Sequence, residues 1–244
     1  MKISFKLLLA GALIMSAGHL SAKPFTPPTN NQAQATQTRE VYGFTKINLS
    51  GPYNYFIAMG TNETLRIEAS KNILPSIVNE VKNGTLSVYE KKTTGSGAVS
   101  KNEKVNIYIT SREISDIQLS GSGNVTFKDG IITSTLRLAL SGSGNFTGKV
   151  NVAMVDCNLS GSGNMKLTGN TTNAKVKLAG SGNFVAGDLK TLTANVEVIG
   201  SGNARVNASK SVNANVVGTG SVYYSGNPKS IIKSKSGGGQ ILKG

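Results

Sequence analysis

The sequence, 244 residues long, holds one cysteine (Cys157), one histidine (His19) and no tryptophan. So little Cys and His excludes a Cys/His zinc site, a Cys–His nucleophile pair and a disulfide framework. Acidic residues are scarce as well, 12 against 26 Lys and Arg, and charged residues make up only 16% of the chain. The hydrophobic fraction of 38% is still too high for a disordered chain. The length is ample for a sizeable core in one or two domains. The composition is that of a scaffold rather than a catalyst.

Met1–Ala22 reads as a secretory signal peptide. Lys2 and Lys6 form a positive start, Leu7–Met15 is an uncharged apolar run, and small residues lead to Ala22. The apolar run is shorter than the roughly 20 residues that span a bilayer, and no later segment approaches that length. Leu20 is a poor residue three before a cut at Ala22, so cleavage after Gly18 is the alternative. No Cys lies at the junction to carry a bacterial lipid anchor. Cleavage after Ala22 also removes His19, leaving 24 basic and 12 acidic residues, a formal charge of +12.

The expected mature chain has three parts. Residues 23–40 carry Pro24, Pro27 and Pro28 and then an Asn/Gln/Thr-rich run, which reads as a flexible leader with too little to bury. Residues 41–120 alternate as strands do: Ile47/Leu49, Leu65/Ile67, Leu86/Val88 and Val105/Ile107/Ile109 recur at a spacing of two. Asn83-Gly84 signals a hairpin. Ile73–Val81 reads as strand, with a short helix opened by Pro75 as the alternative, and Lys91–Lys101 reads as an exposed loop.

From residue 121 the chain repeats itself. GSGN stands at Gly121, Gly123 and Asn124; at Gly142, Gly144 and Asn145; at Gly161, Gly163 and Asn164; at Gly180, Gly182 and Asn183; and at Gly200, Gly202 and Asn203. A degenerate GTGS follows at Gly218–Ser221, and the opening glycines of the copies set a period of about 20 residues. Two residues before each copy come Leu119, Leu140, Leu159, Leu178, Val198 and Val216; one residue after come Val125, Phe146, Met165, Phe184, Ala204 and Val222. These columns have a period of two and not 3.6, so each unit is strand, tight turn, strand. The pattern predicts an all-β fold, a single-stranded β-solenoid of about 20 residues per coil with GSGN at one corner. The N-terminal strands of 41–120 continue the stack, giving one domain over 41–227, and residues 228–244 are a C-terminal cap or tail. The glycines supply positive φ or room at the corner, and the Asn column is placed to form a side-chain ladder.

These GSG-centred repeats behind a signal peptide resemble the bacterial head GIN domain family, often labelled putative auto-transporter adhesin. Phe44–Gly51 (FTKINLSG), Val105–Thr110 (VNIYIT) and Ile117–Asn124 (IQLSGSGN) carry the resemblance too, over roughly residues 41–226. It implies a β-helix-like fold shaped like that of pectin lyases, a source in Gram-negative bacteria of the Bacteroides group, and a role in cell adhesion. It brings no catalytic residues. The sequence shows no stalk, coiled-coil heptads or C-terminal barrel, so the auto-transporter part of the label draws no support from it.

The residues themselves favour a binding module. A phosphate-binding glycine loop needs a helix after it, and a strand follows each GSGN. Only Asp129, Asp156, Asp188 and Glu197 bring carboxylates to residues 121–226, and none pairs with another by register for acid/base work. Cys157 falls in the aliphatic column of Ile117, Leu138, Val176, Val196 and Ala214, and reads as core. Tyr53/Tyr55/Phe56 and Tyr223/Tyr224 are strand-packing aromatics that could alternatively stack on sugars. No catalytic, cofactor or metal site is expected, and the dispersed basic residues suit acidic glycans or an anionic surface better than nucleic acid.

The leading expectation is an exported, non-enzymatic adhesion module in the periplasm, at the cell surface or secreted. The alternative is an envelope-associated enzyme or accessory factor acting on polysaccharide, and solenoid ends offer a route to oligomers. Secretion from a Gram-negative host followed by N-terminal sequencing should give Lys23 as the first residue. A start at His19 would move the cut to Gly18, and an uncut Met1 in the exported fraction would end the signal-peptide reading.

Overall fold

A computed structural model describes residues 34–91 and 103–244. The expected signal peptide, residues 23–33 of the expected leader and most of the Lys91–Lys101 loop lie outside the described residues. The rest is an all-β solenoid of about 7 turns with a spacing of roughly 19 residues. In the repeat region β9 (Asn124–Gly142), β10 (Asn145–Gly161), β11 (Asn164–Gly180), β12 (Asn183–Gly200) and β13 (Asn203–Gly218) each run round one coil, and each pairs in parallel with the next. The coil turns at GSGN, where the first glycine of each copy takes a positive φ.

The period-two columns become the core. Leu119, Leu140, Leu159, Leu178, Val198 and Val216 stack inside, as do Val125, Phe146, Met165, Phe184, Ala204 and Val222, all essentially sealed from solvent. Burying each larger side chain contributes roughly 1.5–3 kcal/mol. The glycines that open each copy stay in unbroken register from Gly121 through Gly142, Gly161, Gly180 and Gly200 to Gly218. Register shifts occur elsewhere, between Gly148 and Val150, Lys166 and Gly169, Ala186 and Lys190, and Thr191 and Thr193. The uneven steps between copies are therefore absorbed in bulges away from the GSGN corner.

The N-terminal strands do continue the stack, but not in chain order. β2 (Lys46–Ser50) turns at Gly51 into β3 (Asn54–Met59), and this coil lies between two later ones. On one side β2 meets β8 (Asp116–Gly121) and β3 meets β9; on the other, β2 meets β6 (Thr85–Glu90) and β3 meets β7 (Asn106–Ser111). Antiparallel strands close this end: β4 (Thr64–Ser70) on β7, β1 (Gln34–Glu40) on β4, and β5 (Ile77–Lys82) on β6.

Two expectations need correction here. Residues 34–40 are not flexible leader but strand β1, although their side chains are mostly exposed. Order comes from the ladder to β4 and from Arg39, whose Nη1 donates to Ile77 O at 2.6 Å and Asn79 Oδ1 at 2.8 Å, and whose Nη2 donates to Leu74 O at 3.0 Å. Backbone pairing and one guanidinium do what apolar burial does elsewhere. Ile73–Val81 is neither wholly strand nor helix: Leu74–Ser76, around Pro75, forms a single 3-10 turn, and strand begins at Ile77. Asn83 and Gly84, with φ of 50° and 71°, form the hairpin turn between β5 and β6.

Residues 228–244 form the last partial coil. β15 (Ser230–Ser236) lies on β13, and β16 (Gln240–Lys243) lies on β14 (Ser221–Ser225). Between them Gly237-Gly238-Gly239-Gln240 is a further corner, with Gly237 at φ 105° and Gly239 N donating to Gly218 O at 2.9 Å. In this coil Lys233 and Lys235 stand over Ala214 and Val216, and Lys243 over Tyr224, where earlier coils place core residues. Lysine thus replaces the apolar residues of the earlier coils at these positions.

The corner can be tested directly. A Cβ at Gly144 would sit 2.5 Å from Gly123 O and 2.8 Å from Leu119 Cδ2, whereas one at Gly238 would meet nothing nearer than 3.9 Å. Gly144→Ala should cost roughly 1–3 kcal/mol or more in urea unfolding followed by circular dichroism. Gly238→Ala should change stability by about 0.5 kcal/mol at most. Equal effects would refute close backbone stacking at the corner.

Candidate functional site: the outer faces beside the GSGN corner

Each corner is built by carbonyls that point along the solenoid axis. Gly121 O accepts from both Ser143 N and Gly144 N at 3.0 Å, Gly142 O accepts from Ser162 N and Gly163 N at 3.0 Å, and the pattern repeats at Gly161, Gly180 and Gly200. The first glycine of each copy lies at φ between 114° and 129° from Gly121 to Gly200, a region that disfavours any Cβ. A Cβ on Gly142 would also come 2.5 Å from Gly121 O. The glycines thus hold the coils at hydrogen-bonding distance.

Outside the corner runs an amide ladder. Asn145 Nδ2 donates to Asn124 Oδ1 at 2.8 Å, Asn164 to Asn145 at 3.1 Å, Asn183 to Asn164 at 3.0 Å, and Asn203 to Asn183 at 3.4 Å. It extends beyond the repeats: Asn124 donates to Asn54, and Asn54 to Asn106. Sequence reasoning missed these two. The signal was Gly51-Pro52-Tyr53-Asn54, where Asn follows Gly by three as in GSGN. Each interior ladder amide spends one N–H and one acceptor lone pair on its neighbours, so this edge locks register along the stack.

The strand leading into the corner carries a trough instead. Its outward columns, read along the stack, are Ser120, Ser141, Ser160 and Ala179, and beside them Gln118, Ala139, Asn158 and Lys177. These small side chains leave a groove of about 350 Å³, lined also by the edges of Leu119, Leu140 and Leu159. A second groove of about 290 Å³ continues it, with Lys175, Lys177, Asn195, Glu197, Asn213 and Asn215. Successive hydroxyls stand roughly 4.8 Å apart, the spacing of strands. Along its border Lys46, Asp116, Arg137, Asp156 and Lys175 follow one another in register, so cations and carboxylates alternate. Asp116 is buried between the two cations, and its Oδ1 has no hydrogen-bond partner among the described residues.

The other sequence candidates fall into place by strand alternation. Tyr53 and Tyr55 point inward and are sealed, with the Tyr55 hydroxyl donating to Ser50 O at 2.7 Å. Burial pushes both hydroxyls well above the ordinary tyrosine range. Phe56 points outward and stacks on Tyr108, centroids 5.0 Å apart, while Arg66 lies over the Tyr108 ring at 3.9 Å and pairs with Glu68. Those ring faces are already used by protein neighbours, which leaves sugar stacking little room there. Tyr224 is buried, and Tyr223 lies under Arg205 at 5.8 Å.

The carboxylates stay apart. Asp156 accepts from Asn158 Nδ2 at 3.1 Å between the positions of Arg137 and Lys175, and Glu197 pairs with Lys177 at 3.2 Å. Asp129 and Asp188 sit in separate bulges. No cluster of three potential metal ligands occurs among the described residues, and no helix there is long and apolar enough to cross a membrane.

Residues 43–228 match the family model described as putative auto-transporter adhesin, head GIN domain. Among solved structures, a putative adhesin from Bacteroides fragilis is 29% identical with a TM-score of 0.80, covering 86% of this chain and 96% of its own. A protein from Parabacteroides distasonis described as a putative lipid binding protein is 24% identical at a TM-score of 0.71, with coverage of 86% and 96%. A putative adhesin from Parabacteroides merdae is 18% identical at 0.67, with the same coverage. The last two likenesses speak to fold alone. No curated protein matches the chain.

Cys157 gives this geometry a chemical readout. It is buried in its aliphatic column, and burial, then the Asp156 charge, pushes its thiol far above the ordinary value. A raised pKa keeps the thiol protonated through neutral and mildly alkaline pH, and the thiol is a poor nucleophile. The native protein should therefore resist maleimide at pH values where the denatured chain is labelled at once. Rapid native labelling would place Cys157 outside the core.

Proposed function

The chain belongs to the head GIN domain family of putative auto-transporter adhesins, and from that premise we propose that it is an exported, non-enzymatic binding module for an extended polar ligand, above all a glycan. The ligand lies along the axial trough, crossing the strands. One observation carries the reading: Ser120, Ser141, Ser160, Gln118 and Asn158 form an ordered grid of small donors and acceptors over a stack that cannot shift register. A chain molecule with repeating hydroxyls suits such a grid, because the protein side loses little entropy on binding. Arg137, Lys175 and Lys177 stand on the border for acidic substituents, although Asp116, Asp156 and Glu197 offset much of their charge. The signal-peptide pattern and the family support work in the periplasm, at the cell surface or outside the cell.

A glycan array and a panel of matrix proteins, probed at low salt, test this with a trough-filling variant. Wild type should bind a polysaccharide, and Ser141→Trp with Ser160→Trp should weaken that binding about tenfold or more. Both serines are exposed, so the fold should survive the change. A blank array at low salt, or a ligand indifferent to the filled trough, would overturn the proposal.

A further inference from the structure

The end of the stack differs from its sides. Residues 198–244 contain six basic residues (Arg205, Lys210, Lys229, Lys233, Lys235 and Lys243) and no acidic one. Lys233, Lys235 and Lys243 occupy the core-facing positions of the last coil, so their stems cross the end of the core. Lys233 Nζ donates to Ile241 O at 3.1 Å and lies 4.9 Å from the Tyr224 ring centroid, which holds it in place. Lys229 N donates to Lys210 O, bringing two more lysines to the same rim.

This cationic end is also apolar. Ile232 is 61% exposed, Leu242 42% and Ile231 41%, all within the last coil, and β15 is exposed along its whole length. Apolar side chains are exposed on the side walls too, Ile132 at 68% and Leu192 at 48%, but in the last coil they stand among lysines in a segment without an acidic residue. They are joined by lysines long enough to reach past them.

We propose that the C-terminal end of the solenoid docks on an anionic lipid bilayer, with its lysines at the phosphates and Ile231, Ile232 and Leu242 in the headgroup layer. Three occupants can be compared on their chemistry. A second copy seated on this end would bring lysine against lysine, or bury Lys235 and Lys243 without partners. A hydrated acidic polysaccharide would use the ammonium groups but gain nothing from Ile232 and Leu242. A bilayer carrying anionic headgroups uses both, as interfacial protein surfaces do. Docking by the end leaves the trough on the side free, so a glycan and a membrane can be held together.

Co-sedimentation of the mature chain with vesicles tests this, using phosphatidylcholine alone and phosphatidylcholine mixed with phosphatidylglycerol. The protein should partition onto the anionic vesicles, release with salt, and ignore the neutral ones. Lys235→Gln with Lys243→Gln should weaken partition about twenty-five-fold, at roughly fivefold for each lysine near the surface. The side-wall pair Lys149→Gln with Lys166→Gln, which removes the same charge, should change it little. Ile232→Ser with Leu242→Ser should weaken it at constant charge, with circular dichroism confirming the fold of every variant. No binding to anionic vesicles, equal losses from end and side-wall lysines, or no effect at Ile232 and Leu242 would each overturn the proposal. The trough-filled protein should still bind vesicles, which separates failure here from failure of the glycan reading.

Discussion

The contact on which the molecule depends is the approach of one glycine carbonyl to the next glycine along the axis. Where a side chain would put its Cβ, the neighbouring coil puts a carbonyl oxygen, as Gly121 O does beneath Gly142. Only this closeness lets Ser143 N and Gly144 N share that oxygen at 3.0 Å. With the corner closed, every coil is forced into the same register there, and the inward columns of leucine and valine line up. The surface follows from the same constraint, since Ser120, Ser141 and Ser160 form a row only because the glycines beside them do.

Much of this fold is legible in the sequence, because a corner that recurs once per coil leaves one pattern of period two on either side. What escaped is instructive. Nothing local tells the chain that β2 and β3 belong between later strands, since Lys46–Asn54 has the same Gly and Asn offsets as the coils around it. That order is decided by the excursion through β4, β5 and the Asn83-Gly84 hairpin, which returns the chain to the far side. The final Gly237–Gln240 corner kept the glycines but lost the Asn. The strand at 34–40 has no apolar signature because its order comes from a backbone ladder and Arg39.

The binding surface was less legible than the fold. The aromatic pairs drew attention in sequence, yet alternation sends Tyr53, Tyr55 and Tyr224 into the core and leaves Phe56 stacked on Tyr108. The trough is made of residues that are ordinary one at a time, two alanines and three serines among them. They become a surface only when strands from successive coils lie side by side, which composition cannot show. The charge asymmetry of residues 198–244, by contrast, could be counted from the sequence directly. Its meaning waited on the register that puts three lysines over the core.

The interleaved coil at the N-terminal end bears on how the protein comes to exist. As the chain emerges from a ribosome or a translocation pore, Lys46–Met59 appears first and finds neither of its neighbours. One flank, Thr85–Glu90 with Asn106–Ser111, arrives later, and the other, Asp116–Gly142, later still. Growth by simple addition of coils from the first residue is therefore ruled out by topology. The long-range pairings must wait, and loop closure makes such waiting slow. The regular coils from 121 onward can zip one upon another, so the repeats are the natural nucleus and the older chain the last to lock. A strand that enters early and is clasped late also serves as a bolt, for it cannot leave without parting the coils on both sides.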